Sequence, residues 1–167
     1  MAIAVAGLPG AGKTTVAKLI EARGYSYYNL GDVVRRESEI LGIPPDRTAV
    51  VLRLGYGKRA IVKKILETMR PGRVVVDGVR SIEEVEALEE ALGSIFLIYV
   101  VASRKTRYMR LLSRGRADDP LTYSQFYMRD LREMRFGLAE LLARADYIIV
   151  NEERPIEELE KEVAKLV

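Results

Sequence analysis

The sequence predicts an α/β domain built on a five-stranded parallel sheet. Two observations carry that expectation. Short apolar runs alternate with helical periodicities along all 167 residues, the pattern of a sheet covered by helices. The runs are apolar throughout rather than every second residue, as in strands buried on both faces.

The elements follow in order. "AIAVAG" (Ala2 to Gly7) is the first strand, and Val16, Leu19 and Ile20 then recur at helical spacing. "YSYY" (Tyr25 to Tyr28) is a short second strand. "GDVVRRESEIL" forms a helix from Gly31 to Leu41, ended by "GIPP", because a residue before proline avoids the helical region. Asp46 to Met69 is helical with a break at Gly55 to Gly57, and "RVVVDG" (Arg73 to Gly78) is the third strand. Ser81 and Glu84 make a capping box for a helix carrying Ile82, Val85, Leu88 and Leu92, which Gly93 stops. Ile95 to Val101 is the fourth strand. A basic helix covers Arg104 to Ser113, and Arg114 to Pro120 is a polar loop. Thr122 and Gln125 make a second capping box, for a helix reaching Ala143. Asp146 to Val150 is the fifth strand, and Pro155 opens a last helix with Ile156, Leu159 and Val163 on one face.

Composition narrows the chemistry. There is no cysteine and no histidine, which removes disulfides, thiol nucleophiles, imidazole bases and zinc sites built on either residue. Arginine outnumbers lysine by 19 to 8. The net charge of +3 is too small to point to nucleic acid. The longest apolar run, Ile95 to Ala102, falls far short of the ~20 residues a membrane helix needs. The first residues lack a basic region and a cleavage site, so the expectation is a cytoplasmic protein without a membrane partner. Few amides beside many charges fit a thermophile. A monomer or a small homo-oligomer is expected.

The first strand runs into "GLPGAGKTT" (Gly7 to Thr15), which satisfies G-x-x-x-x-G-K-[ST] at every position, between a strand and a helix. Gly7, Leu8, Pro9, Gly10, Ala11 and Gly12 form a loop whose amides turn toward a phosphate, at the positive end of the next helix. Lys13 reaches the β- and γ-phosphates, and the Thr14 hydroxyl ligates Mg²⁺, with Thr15 beside it. The cofactors are therefore ATP and Mg²⁺, and the fold is of the three-layer P-loop NTPase type. The N-K-x-D element that reads guanine in Ras-type GTPases is missing, because the fifth strand ends in "VNEE".

Two further stretches, "NLGDVVRRE" (Asn29 to Glu37) and "VVVDGVRS" (Val74 to Ser81), resemble the adenylate kinase branch of the nucleoside monophosphate kinases. That family carries TGD-x-x-R after strand two and DG-x-P-R after strand three. Gly31, Asp32 and Arg35 match the first element, with Leu30 in place of the threonine. Asp77, Gly78 and Arg80 match the second, which here lacks the proline and is one residue shorter. The whole chain looks closest to a set of archaeal adenylate-kinase-related proteins. The resemblance implies one domain over residues 1–167. Its core is 1–30, 70–103 and 144–167, with a helical monophosphate-binding insert at 31–69 and a lid at 104–143. It assigns Arg35 and Arg80 to the acceptor phosphate, with Gly31, Asp32, Arg36, Arg53 and Gly78 near the acceptor. Asp77 orients Mg²⁺ through water. The lid brings Arg110, Arg114 and Arg129 to the transferring phosphate, and Asn151 to Arg154 lie against the donor base.

The residues support this independently. Transfer between two phosphorylated molecules is mostly positioning and charge neutralisation, for which an arginine-rich chain without histidine is suited. The expected reaction is ATP + NMP ⇌ ADP + NDP, with AMP the first acceptor and base specificity set within 46–69 by Arg53, Tyr56 and Arg59. Two alternatives stay open. One is a hydroxyl acceptor, as in dephospho-coenzyme A kinases, with Asp32 as base and Arg36 four residues on. The other is a nucleotide-dependent switch or RNA-associated ATPase. The plainest reading of the lid arginines is surface ion pairing with Asp118, Asp119, Asp130 and Glu133.

Overall fold

The computed structural model describes residues 1–167. Its five strands are β1 (Ala2–Ala6), β2 (Ser26–Asn29), β3 (Val74–Val79), β4 (Ile95–Val101) and β5 (Tyr147–Val150). All pair in parallel, in the order β2-β3-β1-β4-β5. Every residue of β1 is buried, which explains its unbroken apolar run. Ala2, Ala4 and Ala6 face one core, and Ile3 and Val5 face the other, as the two-residue period of a strand requires.

The two cores define three layers. On one face α1 (Lys13–Glu21) and α9 (Ile156–Ala164) send Val16, Ile20, Leu159 and Val163 against Val5, Val75 and Ile98. On the other, α2 (Leu30–Leu41), α3 (Pro45–Tyr56), α4 (Ala60–Leu66), α5 (Ile82–Leu92) and α8 (Ala139–Arg144) cover the alanine face of β1. The remaining helices, α6 (Arg104–Arg114) and α7 (Tyr123–Glu133), follow β4 and flank the open end of the sheet.

The expected strands appear within a residue or two of their sequence bounds. Both capping boxes form at the backbone: Ser81 accepts from the Glu84 amide and Thr122 from the Gln125 amide. The stretch expected to break near Gly57 does so, with α3 ending at Tyr56 and Gly57 at φ 89°. One expectation fails. The helix foreseen from Thr122 to Ala143 is interrupted by a π-helical turn at Met134–Leu138, where Gly137 has φ 115°. A side chain on Gly137 would stand 3.3 Å from the Ser81 Cβ, so the chain here follows its packing against the β3–α5 turn.

The register decides where a site can form. Val5 and Asn29 both lie opposite Asp77, so the C-terminal ends of β1, β2 and β3 meet. The loop after β1 and the start of α2 therefore open at the same edge, where α/β sheets bind ligands.

Beneath that edge lies a buried ion pair. Arg53 on α3 donates to Glu84 on α5 at 2.7 Å, with side chains 6% and 0% exposed, and its guanidinium stacks 4.1 Å from the Phe136 ring. Arg53→Ala would leave the Glu84 carboxylate buried and uncompensated. We expect a loss of about 3–5 kcal/mol in a guanidinium chloride titration. A loss below about 1 kcal/mol would show that the pair is dispensable.

Candidate active site

The loop from Gly7 to Thr15 is held from outside. Asn151 donates from Nδ2 to the Ala11 carbonyl at 2.8 Å, and the same amide fills the space a side chain on Gly12 would take. Gly12 is at φ 98°, so glycine is required there for conformation as well as room. Arg107 donates to the Pro9 carbonyl at 3.1 Å while making a bidentate pair with Asp130, both contacts at 2.8 Å. Arg110 donates to the Asn151 carbonyl at 2.8 Å and lies against the Gly10 and Ala11 carbonyls. The carbonyls of the loop thus point outward to partners. The first amides of α1 are left for a ligand, since a helix start has no internal acceptors for them. A cavity of about 290 Å³ opens there, lined by Gly10, Gly12, Lys13, Thr14, Thr15, Arg110, Arg114 and Arg116.

Lys13 turns its Nζ back to the Leu8 carbonyl, 3.1 Å away. Burial lowers its pKa from 10.5 to about 8, against the opposing pull of Asp77 and Glu133.

Asp77, 1% exposed, collects three donors on one oxygen. Its Oδ2 accepts from the Thr14 hydroxyl at 2.7 Å, the Tyr27 hydroxyl at 3.0 Å and Asn29 Nδ2 at 3.1 Å. Its Oδ1 is buried with no partner. An orphaned carboxylate oxygen beside a threonine hydroxyl suits a hard cation that keeps most of its waters and takes its other ligands from phosphates. The residues present therefore fit Mg²⁺, with Thr14 and Asp77 as the groups that would hold it.

The second half of the site is an arginine cleft. Gly31, Arg35, Arg80, Arg129 and Arg132 line one neck between α2, the β3–α5 turn and α7. It adjoins a cavity of about 560 Å³ that Arg35, Arg129 and Arg132 share with Pro44, Met128 and Leu121. Each arginine has a carboxylate. Arg35 pairs with Asp32 at 2.5 Å, Arg80 with Glu133 at 2.5 Å, Arg129 with Asp119 at 3.2 Å, and Arg132 with Asp46 at 3.6 Å. Burial would push the Glu133 carboxyl up, but Arg80, Lys13 and Arg129 outweigh it and hold the group below its usual range. Arg80 also donates to the Gly78 carbonyl at 2.7 Å, which fixes its guanidinium over the end of β3.

The sequence-derived candidates thus divide. Lys13, Thr14, Arg110 and Arg114 gather at the loop, and Arg35, Arg80 and Arg129 at the neck. Arg114 is also tied to Asp119 across the lid. Arg53 is not in the cleft, because its guanidinium is spent on Glu84 in the core. Asp32 and Arg36 line a separate cavity of about 180 Å³ with Tyr27 and Lys64. Tyr56 is 76% exposed, and Arg59 pairs with Glu86 and Glu90 on α5, so from 46–69 only Asp46 and Ala49 border the neck. Asn151 buttresses the loop through its side chain.

The alternative in which Asp130 and Glu133 only pair with arginines at the surface holds for the pairing and not for the surface. Glu133 is 6% exposed, and the Arg107–Asp130 pair is largely buried, with side chains 5% and 15% exposed. Sequence reading alone does not place Glu133, Tyr27 or Asn29 at the site. Glu133 carries a signal as a charge on the inner face of an amphipathic helix, and Asn29 carries one as the polar residue just before α2.

The Lys13 value makes nucleotide binding pH-dependent. Bound phosphates favour the ammonium form, so binding takes up a proton between pH about 8 and the higher value of the complex. ADP affinity should therefore fall above pH 8, by at most about tenfold per unit. Calorimetry in buffers of different ionisation enthalpy should show proton uptake, and a pH-independent affinity from 7 to 10 would contradict it. The empty protein should itself gain stability as pH rises through about 8 toward 10.5, because the unfolded chain binds the proton more tightly.

Comparison with known proteins agrees with this architecture. The AAA domain family matches residues 3–132. A UPF0200 protein from Pyrobaculum aerophilum is 66% identical over 99% of this chain and 95% of its own length. A UPF0200 protein from Methanothermobacter thermautotrophicus is 38% identical over 99% and 88%. Among solved structures, shikimate kinase from Acinetobacter baumannii in complex with shikimate superposes with a TM-score of 0.64 at 16% identity, covering 99% of this chain and 91% of that one. A sugar kinase from Janibacter gives 0.66 at 15%, covering 98% and 92%. At such identities these likenesses establish a shared fold, the P-loop kinase-like α/β fold. On that fold and those relatives, the chain belongs to the UPF0200 family and carries its AAA domain across the phosphate loop, the arginine neck and most of α7.

Proposed function

We propose that the protein is an ATP-dependent phosphotransferase whose acceptor already carries a phosphate, with a nucleoside monophosphate as the substrate class and AMP as the first candidate. The observation that carries this is the convergence of Arg35, Arg80, Arg129 and Arg132 on one neck, with Arg80, Arg129 and Glu133 near enough to act on the Lys13 charge. Four guanidiniums so close repel one another, and an empty cleft tolerates them only because Asp32, Glu133, Asp119 and Asp46 stand beside them. A dianionic phosphate entering that neck takes over the role of these counterions, in the planar paired geometry arginine favours. The adjoining cavity of about 560 Å³ is in the range of sites for nucleotide-sized ligands, ~300–1,000 Å³.

The division of labour follows. The loop amides and Lys13 hold the donor's β- and γ-phosphates, and Arg110 and Arg114 close over them. Arg35 and Arg80 hold the acceptor phosphate so that one of its oxygens faces the γ-phosphorus. That oxygen forms the new P–O bond as the bond to the β-phosphate oxygen breaks, giving ADP and a diphosphate. Mg²⁺, when bound, neutralises charge between the β- and γ-phosphates. No general base is required, because a phosphate oxygen is already a nucleophile. This favours the reading over a hydroxyl acceptor, for which Asp32 would serve as base. Asp32 is paired with Arg35 and borders the other, smaller cavity.

ADP formation with ATP–Mg²⁺ should be stimulated by one or more nucleoside monophosphates and not by dephospho-coenzyme A or RNA. Stimulation only by RNA or by a hydroxyl acceptor would remove the proposal. Arg35→Ala should raise the acceptor KM by roughly 10- to 100-fold, the loss of a charge-assisted contact of about 1.5–3 kcal/mol. ADP affinity should stay constant. Unchanged acceptor kinetics would remove Arg35 from the site.

A further inference from the structure

We propose that Tyr27 and Asn29 are positioning residues for the Mg²⁺-facing pair Thr14 and Asp77. The inference rests on the donor half of the proposed function and is independent of the acceptor. Asp77 Oδ2 accepts from Thr14 Oγ1, Tyr27 Oη and Asn29 Nδ2 at 2.7, 3.0 and 3.1 Å. The two β2 groups are themselves joined, with Asn29 Nδ2 donating to Tyr27 Oη at 2.7 Å. Three donors from two elements fix the plane of this carboxylate and leave Oδ1 buried with nothing to accept from. A carboxylate used only to pin β2 to β3 would have no reason to keep its second oxygen dry and unpaired, since an orphaned acceptor costs about 1–3 kcal/mol.

The same geometry aims Thr14. Its hydroxyl proton is committed to Asp77, so its lone pairs are what it offers to a cation. Tyr27 and Asn29 stop Asp77 from rotating away, and thereby hold both groups facing the loop. Each is held in turn. Lys18 sits 3.8 Å from the centre of the Tyr27 ring, and Asn29 Oδ1 accepts from the Gly31 amide at 2.7 Å as the N-cap of α2. Asn29 thereby links Asp77 to the helix that carries Arg35.

The test measures ADP binding to the full-length protein by calorimetry, across a Mg²⁺ titration and in EDTA. Tyr27→Phe keeps the ring and its contact with Lys18 and removes the hydroxyl. Asn29→Ser keeps a capping oxygen and removes the amide donor. Both variants should raise the Mg²⁺ concentration at half-effect by roughly 10- to 100-fold, the usual cost of removing a partner that orients a metal ligand. ADP affinity in EDTA should match the parent. Mn²⁺ as a paramagnetic probe should report the same weakening in the protein–ADP complex. A variant that lowers ADP affinity equally with and without Mg²⁺, or only lowers the melting temperature, would overturn the inference. If one variant does not fold, the other decides. If ADP binding by the parent protein shows no Mg²⁺ dependence, the failure lies with the donor site of the proposed function instead.

Discussion

Positive charge crowded at the open end of one sheet is the constraint on which the rest of the structure depends. Lys13 and the arginines at 35, 80, 107, 110, 114, 129 and 132 all lie at or behind the ends of β1, β3 and β4. Their mutual repulsion would open the domain without compensation. The fold answers with local counterions, several of them buried. Glu133 serves Arg80 and lies in the field of Lys13 and Arg129, Asp130 serves Arg107, and Asp119 is shared by Arg114 and Arg129. The positive charge of the empty site is thus largely, though not fully, compensated, and Arg110 has no carboxylate partner of its own.

These pairs do different work according to burial. Arg107–Asp130 and Arg53–Glu84 are desolvated and each joins two different helices, so they fix geometry. Arg107 also braces the phosphate loop from behind through Pro9. Arg35–Asp32 joins residues three apart on one helix, with side chains 34% and 58% exposed. A pair of that kind contributes little to stability. Within the neck burial varies from pair to pair: Arg80–Glu133 has side chains 17% and 7% exposed, and Arg35–Asp32 is the open one.

Asp77 joins the layers of this design. It lies within β3, meets α1 through Thr14 and meets β2 through Tyr27 and Asn29. Because Asn29 also caps α2, the helix bearing Arg35 starts from the same hydrogen-bonded knot as Thr14 and Asp77. The phosphate-loop motif and the arginine neck therefore share one anchor rather than two independent supports. The π-turn after Glu133 belongs to the same economy, since Gly137 lets α7 close onto the turn holding Ser81 and Arg80.

Local signals were enough for much of this. Strand runs, capping boxes and the glycine pattern depend on neighbours within a few residues, so the parallel sheet, the phosphate loop and the motifs at Gly31–Arg35 and Asp77–Arg80 were legible in the sequence alone. What a charged side chain meets across the fold was not. Arg53 reads as a cleft arginine from its segment, and only the packing of α3 on α5 delivers it to Glu84 instead. Glu133 reads as a surface acid until α7 is laid against the β3–α5 turn. Tyr27 and Asn29 carry no motif at all, because their role exists only through the register that sets β2 beside Asp77. The sequence determined which charges the protein owns and the glycine-rich loop from Gly7 to Thr15. Tertiary structure alone decided which of those charges face a ligand, because partner choice for a buried ion is set by packing between elements far apart in the chain.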